Sequence, residues 1–231
     1  MNPMPRRLPA TALVAVLATA LAACGSQPPL PDWQMNAHGA AERATAAYLA
    51  GNDRVAQQEW TRARAEVAST GRPELLARVE LMRCAAQAAS LDGGACPAFE
   101  PLRQDATPQE RAYADYLSGG LMPAQLALLP LAQRSAAANV NAIGNITDPL
   151  SRLVAAGTAV QSGRATAQLL VLASDTAAAQ GWRRPLLAWL LLRVRQARAD
   201  GDEQLAAQLQ RRLTIVQSAG VPQTQADPAQ R

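Results

Sequence analysis

From Trp33 to Ser218 the sequence runs in Ala-, Leu-, Arg- and Gln-rich segments whose apolar residues recur every three or four positions, with Gly, Pro or Asn between segments. This spacing puts the apolar side chains on one face of an α-helix. Aromatic residues make up only 3% of the chain, too few for an all-β domain. We therefore predict an all-α protein. The helices are expected at residues 37–50, 53–70, 73–90, 108–118, 123–139, 149–162, 164–180, 185–200 and 202–218.

Local chemistry explains where several of these helices begin and end. Residues 107–110 (TPQE) are typical of a capping box that opens a helix, and the Asp-Pro pair at 148–149 repeats the cap-then-proline pattern. Pro130 interrupts the segment 123–139, where we expect a kink or break. The expected helix ends coincide with five glycines, a residue that accepts the left-handed backbone of a C-cap: Gly51, Gly119, Gly163, Gly181 and Gly201.

The segment 186–192 (LLAWLLL) is apolar on every face of a helix. Such a helix is expected to be buried on all sides, and seven residues are too few to span a bilayer, which takes about 20 residues. We expect the helices at 164–180 and 202–218 to enclose it in a C-terminal three-helix core.

The clearest internal pattern is Gly51, Ala56, Trp60 and Ala63. Their spacing resembles the second half of a tetratricopeptide (TPR) repeat, and a weaker form runs over 201–213. The resemblance implies helical hairpins stacked as a TPR-like α-solenoid that offers a surface to a protein partner. Gly turns and Ala contacts also recur in non-repetitive bundles, so an irregular helical bundle remains the alternative.

The N-terminus has the pattern of a secretory signal, with Arg6 and Arg7 before the largely apolar stretch 8–23. Residues 21–24 (LAAC) resemble the lipobox of bacterial lipoproteins. The resemblance implies cleavage before Cys24, acylation of its thiol and anchoring in the outer membrane on the periplasmic face, with the lipid bilayer as one partner. An ordinary signal peptide is the alternative.

These patterns divide the chain into five parts. We expect a lipoprotein signal peptide at 1–23, an acylated Cys and Pro-rich tether at 24–34, N-terminal helical hairpins at 35–140, C-terminal helical hairpins at 141–219 and a disordered tail at 220–231.

The remaining cysteines, Cys84 and Cys96, would lie in an oxidising compartment if the chain is exported. The Gly pair at 93–94 could reverse the chain and bring them together, so we predict a disulfide, with two separate buried thiols as the alternative. No metal site is predicted because the spacing is not CxxC and His38 is the only histidine.

The candidate catalytic residues in the sequence give little support for an enzyme. His38 lies at the expected start of the first helix, where a capping or exposed role is expected. Glu42, Glu59, Glu66 and Glu80 alternate with arginines, a pattern typical of a solvated helix face. A sugar-binding groove usually contains aromatic side chains on which sugar rings stack, and this chain has few aromatic residues. We expect no enzymatic activity and no cofactor.

Charge is uneven along the chain, whose formal net charge is +4. An arginine-rich C-terminal stretch predicts a basic face for an acidic partner or for lipid and glycan phosphates, the alternative being an ordinary polar face. The residues concerned are Arg183, Arg184, Arg193, Arg195, Arg198, Arg211 and Arg212.

The sequence therefore predicts a non-catalytic outer-membrane lipoprotein that acts as a helical-repeat adaptor for an envelope protein, without nucleic-acid binding. The alternatives are a peptidoglycan hydrolase, with Glu42, Glu59 and Glu66 as its acids, and a purely structural lipoprotein.

Overall fold

A computed structural model describes residues 30–219. These residues contain no strand, and the predicted all-α class is confirmed. The α-helices in this part of the chain are α1 (Asp32–Ala50), α2 (Asp53–Ala68), α3 (Pro73–Ala89), α4 (Pro108–Leu117), α5 (Leu131–Ala138), α6 (Pro149–Gln161), α7 (Ala167–Ala179), α8 (Arg183–Ala199) and α9 (Glu203–Ser218). Short 3-10 turns occupy Glu100–Leu102, Pro123–Leu128 and Val140–Asn145.

Every predicted helix is present, and two differ clearly from the prediction. The first helix begins at Asp32 instead of residue 37, so it starts inside the segment 24–34 that we expected to be a tether. The predicted helix 123–139 is divided at Pro130, which precedes α5 as its N-cap residue. Proline has no N–H and its ring clashes with the preceding turn, which explains the break. The predicted signal peptide, the acylated Cys24 and the tail 220–231 lie outside the described residues.

The helix ends follow the predicted chemistry. Thr107 accepts a hydrogen bond from the Glu110 backbone N–H while the Glu110 carboxylate accepts one from the Thr107 N–H, so the capping box is present. Asp148 caps α6 through the N–H of Ser151 at 2.7 Å. The five glycines expected at helix ends all have positive φ, as a left-handed C-cap requires.

The core consists of three clusters of buried side chains. The first joins α1, α2 and one face of α3. The second and largest joins the other face of α3 with α4, α6, α7, Phe99 and Trp189. The third joins α8 and α9. Helix α3 is therefore covered on two sides, which explains why its apolar residues surround it instead of forming one stripe.

Helices α3 and α6 approach each other closely at Gly157. A Cβ atom on Gly157 would lie 2.0 Å from the Ala88 carbonyl oxygen, so only glycine fits at this point in α6. Next to this contact, Trp189 of α8 donates its indole N–H to the Ala89 carbonyl oxygen at 3.0 Å. The C-terminal end of α3 thus meets both α6 and α8 through its backbone.

The segment 186–192 is less buried than we expected. Trp189 and Leu190 are fully buried, but Leu191 is exposed. Helices α7 and α9 do pack against α8, yet Leu187 and Leu191 line an open cleft beside them. The prediction of burial on all sides is therefore wrong: two neighbouring helices leave part of the surface of α8 uncovered.

None of the helices within 30–219 is long and apolar enough to cross a bilayer. Residues 33–219 belong to one compact unit.

Candidate functional site

Three of the four residues of the TPR-like pattern lie in the first core cluster, and the fourth, Gly51, lies in the turn that precedes α2. Gly51, with a φ of +85°, turns α1 into α2. Ala56, Trp60 and Ala63 are buried beneath α2, where they contact the cluster formed with α1 and α3. The pattern therefore builds a helical hairpin and its docking onto the next helix, and these side chains offer nothing to a ligand.

The Cys84 and Cys96 side chains lie at disulfide distance, with Cα atoms 5.9 Å apart. Both are buried in the second cluster. The pair links α3 to the loop that leads into the first 3-10 turn. Because both residues are buried, we assign the pair a structural role.

The predicted basic residues separate into groups with different contacts. Arg184 donates to the Tyr48 carbonyl oxygen at 2.8 Å, pairs with Asp53 and lies 4.3 Å from the centre of the Tyr48 ring. Arg183 donates to the Val216 carbonyl oxygen at 3.2 Å. These two guanidinium groups connect α8 to the α1–α2 turn and to α9, so they are largely engaged within the protein.

Two further arginines face α7. Arg193 donates to the Ser174 hydroxyl at 2.8 Å, and burial, aided by nearby Arg212, lowers its pKa although Asp175 opposes the shift. Arg212 lies 3.9 Å from Asp175. The structure therefore assigns these two residues to the packing of α7 against the last hairpin.

Arg195, Arg198 and Arg211 are exposed and make no ion pair among the described residues. On α8, Arg195 and Arg198 follow Leu191 at spacings of four and seven, so the three share one stripe. On α9, Arg211 shares a stripe with Ile215, which is 67% exposed. The predicted face of seven arginines thus reduces to three exposed guanidinium groups beside two exposed aliphatic side chains.

The candidate acids do not converge. Glu42 pairs with His38 at 3.2 Å on the exposed side of α1, and Glu59 pairs with Arg43 at 2.8 Å. His38 lies within α1 and is exposed, so of the two roles expected for it, capping or exposed, the structure has the exposed one. Glu66 is partly exposed and forms no ion pair in the described region.

Glu80 corrects the expectation of a solvated face. Its residue surface is only 1% exposed, and it pairs with Arg64 of α2. Glu80 is buried because neighbouring helices cover both faces of α3. A buried carboxylate needs a basic partner, and Arg64 of the neighbouring helix supplies it.

The sequence did not reveal an apolar cleft of about 650 Å³ between α3 and α4. Leu81, Met82 and Ala85 line it from α3, and Leu129 lines it from the segment before α5. Met82 is 40% exposed. Leu81, Met82 and Ala85 have the i, i+1, i+4 spacing that is ordinary for a helix face in the core. The sequence therefore carries no signal that these residues line a cleft and not a packed core.

Polar groups line the same cleft. Arg78 donates to the Glu110 carboxylate at 2.5 Å. Glu74 lies four residues before Arg78 on the same helix, a spacing that favours an ion pair, but Glu74 pairs with Arg72 at 2.7 Å instead. Burial raises the pKa of Glu110, but hydrogen bonds from Arg78 and Thr107 outweigh it and lower the pKa overall.

Arg134 and Tyr113 complete the polar lining. The Nε of Arg134 donates to the Leu129 carbonyl oxygen at 2.7 Å, and the residue is exposed. The Tyr113 hydroxyl forms no hydrogen bond with the residues described, whereas that of Tyr116 donates to Gln133 at 2.8 Å. Burial raises the pKa of both tyrosines, that of Tyr116 to about 12, so both stay protonated at neutral pH.

A second cleft, of about 550 Å³, lies where the α1–α2 turn meets α8 and α9. Its wall includes Asp92, whose carboxylate accepts a hydrogen bond from the Tyr48 hydroxyl at 3.0 Å. Burial and the nearby Asp92 raise the pKa of Tyr48. Arg183 and Arg184, described above, also line this cleft. Each of its charged side chains has a hydrogen-bond partner within the protein.

The described residues contain no group of three or more side chains that could hold a metal ion. Comparison with known proteins gives no relative, because no protein-family model, no curated protein and no solved structure matches the sequence significantly.

Proposed function

We propose that this chain is a non-catalytic lipoprotein of the bacterial outer membrane that faces the periplasm and binds an envelope protein. Two features support the proposal. The lipobox-like residues 21–24 support acylation of Cys24, and several acyl chains, at about 0.8 kcal/mol per buried CH₂, hold a protein on a membrane stably. The helical hairpins support a role in protein binding.

The observation that carries the binding role is the exposed side of the α8–α9 hairpin. Helix α9 ends the described chain and packs mainly on α8, so Arg211 and Ile215 on its outer stripe are open to a partner. Arginine beside exposed aliphatic side chains is typical of the residues that dominate protein interfaces. The three exposed arginines, named together the hairpin arginines (Arg195, Arg198 and Arg211), favour a partner with an acidic surface.

Charge reversal tests the binding role. The full chain with all three hairpin arginines replaced by Glu is cross-linked in intact envelopes beside a matched control. In the control, three other exposed arginines without ion pairs in the described residues are replaced by Glu: Arg54, Arg62 and Arg83. We expect a discrete cross-linked partner with the wild type and the control, and its loss with the hairpin variant. Equal recovery from both variants would refute a role for this face.

Labelling with palmitate tests the anchor. We expect wild-type cells to incorporate the label into the chain and Cys24→Ala cells to lose it. Label retained in the Cys24→Ala chain would refute acylation at the lipobox. The anchor and the adaptor role are thus tested by separate measurements.

The contacts give a hydrolase less support than an adaptor. Glu42, Glu59 and Glu66 lie on α1 and α2 without a shared pocket, whereas glycoside hydrolysis takes two carboxylates across one bond. The resolved carboxyl pKa shifts, those of Glu74, Glu100 and Glu110, are all downward. A general acid that acts near neutral pH needs an upward shift.

A further inference from the structure

We propose that the apolar cleft between α3 and α4 binds a single-chain amphiphile with an anionic end, of the chemical class of the long-chain fatty acids. This site lies apart from the hairpin arginines. The proposal goes beyond the adaptor role and does not depend on it.

The lining of the cleft fits a hydrocarbon chain. Its apolar wall combines the buried side chains Leu81, Ala85 and Leu129 with Met82, which reaches the surface. The volume of about 650 Å³ falls inside the range of small-molecule sites, about 300–1,000 Å³. Methionine adapts its shape to different apolar ligands because its side chain is unbranched and flexible. The cleft therefore has both the size and the surface for an acyl chain.

The charges of the cleft favour an anionic end group. Arg78, Arg134 and Glu110 are the charged residues of the lining. Glu110 is already paired with Arg78, so one guanidinium charge is left over. Arg134 uses its Nε for the Leu129 carbonyl oxygen, and its two terminal nitrogens have no hydrogen-bond partner among the described residues. A planar guanidinium group with two free nitrogens matches a carboxylate.

Tyr113 offers the ligand a third polar group. Tyr113 lines the cleft, and its hydroxyl has no protein hydrogen-bond partner in the described region. Because its pKa is raised by burial, the hydroxyl stays protonated and can donate to an acceptor on the ligand. One excess positive charge and one neutral donor suit a monoanion, whereas a cationic amphiphile would meet an unpaired guanidinium group.

Binding is tested with the full-length chain, synthesised in a membrane-free translation system under oxidising conditions so that it carries no acyl group of its own. The probe is cis-parinaric acid, whose fluorescence rises in an apolar site. Dodecanoate, dodecanol and dodecyltrimethylammonium then compete for the site. We expect saturable probe binding and displacement in the order dodecanoate, dodecanol, dodecyltrimethylammonium.

Two variants and one matched control locate the site. Met82→Glu replaces an apolar wall residue by a carboxylate that loses water when the ligand binds and repels the anionic end of the ligand, so probe binding is expected to weaken about tenfold or more. The control, Met35→Glu, changes a methionine of α1 that is 51% exposed and lines none of the clefts described, and binding should not change. Arg134→Gln should remove the preference for dodecanoate over dodecanol and leave dodecanol binding unchanged.

The outcomes separate the alternatives. Absence of saturable binding, equal losses in both methionine variants, or a dodecanoate preference that survives Arg134→Gln would each overturn the proposal. A photo-cross-linker at position 82 that captures a protein segment, while the probe does not bind, would also overturn it and assign the cleft to a peptide. Failure of this test leaves the hairpin-arginine experiment unaffected, so the two results remain distinguishable.

Discussion

Replacement of Gly157 by Ala should destabilise the protein, although alanine is the better helix former. In an open helix interior this change stabilises by about 1 kcal/mol. At residue 157 the new Cβ would lie 2.0 Å from the Ala88 carbonyl oxygen and 2.8 Å from its carbonyl carbon. These are backbone atoms that no rotamer change can move, so α3 and α6 must separate.

The size of the effect follows from two opposing contributions. Separation of packed helices belongs at the upper end of the range for overpacking, about 3 kcal/mol. Subtraction of the helix-propensity gain of about 1 kcal/mol leaves a net loss of about 2 kcal/mol. For a domain of this size, 1 kcal/mol shifts Tm by about 2–4 °C. We therefore expect Gly157→Ala to lower Tm by about 4–8 °C.

A second helical glycine gives a matched control. In α1, a Cβ on Gly39 would meet only the end of the flexible Arg43 side chain, at 3.2 Å. Gly39→Ala should therefore stabilise the protein by about 0.5–1 kcal/mol. Thermal and urea unfolding under oxidising conditions, followed by circular dichroism, measure both variants. A Gly157→Ala chain as stable as the wild type, beside a stabilised Gly39→Ala chain, would show that the α3–α6 contact is looser than described.

Three further changes test other parts of the fold. Trp189→Phe removes the hydrogen bond to the Ala89 carbonyl oxygen and should lower the free energy of unfolding by about 2 kcal/mol, measured in urea; an unchanged midpoint would contradict the contact. The Cys84–Cys96 pair closes a loop with a sequence separation of 12, so its reduction should lower the free energy of unfolding by about 3 kcal/mol. Identical unfolding curves with and without reductant would contradict a disulfide. Glu110 has a lowered pKa, so its ionised form stabilises the fold above its unfolded pKa of about 4.3, and this contribution is lost as pH falls through the lower folded value. Glu110→Gln should therefore be less stable than the wild type at neutral pH, and the difference in Tm should shrink as the pH is lowered; a constant difference would contradict the ion pair.

The sequence predicted the helices well because their ends depend on neighbouring residues. The capping box at 107–110 and the glycines with positive φ act within one or two turns of the chain. Pro130 likewise acts on its own turn. Such signals can be read from a short window, whatever the rest of the molecule does.

The contacts between helices could not be read in the same way. Glu80 has the local surroundings of a surface residue, yet it is buried because two layers cover α3. Arg78 has an acidic neighbour four residues earlier but pairs with Glu110, 32 residues later. The apolar cleft arises from residues on α3, on α4 and before α5. Each depends on which helices become neighbours, and no local pattern encodes that choice.

The arginines show why a count of charges overstates the surface available to a partner. An Ala-rich helix buries little area per residue and ends with carbonyl groups that lack helical partners. Several arginines donate to backbone carbonyl groups at the ends of helices or 3-10 turns. Arg152 reaches Ile146 at 2.7 Å, Arg164 reaches Ala137 at 2.9 Å and Arg184 reaches Tyr48 at 2.8 Å.

This use suits arginine because its planar group carries five donors in a fixed arrangement, so one side chain can bind a carbonyl and still pair with a second group. Arg184 does so with Tyr48 and Asp53, and Arg152 does so with Ile146 and Thr176. A guanidinium group that spends donors on such a carbonyl group is therefore weaker evidence for a protein-binding surface than one whose donors are all free. The exposed arginines of α8 and α9 have free donors and also share helix stripes with the exposed aliphatic side chains Leu191 and Ile215, and for this reason the proposed partner face is limited to them.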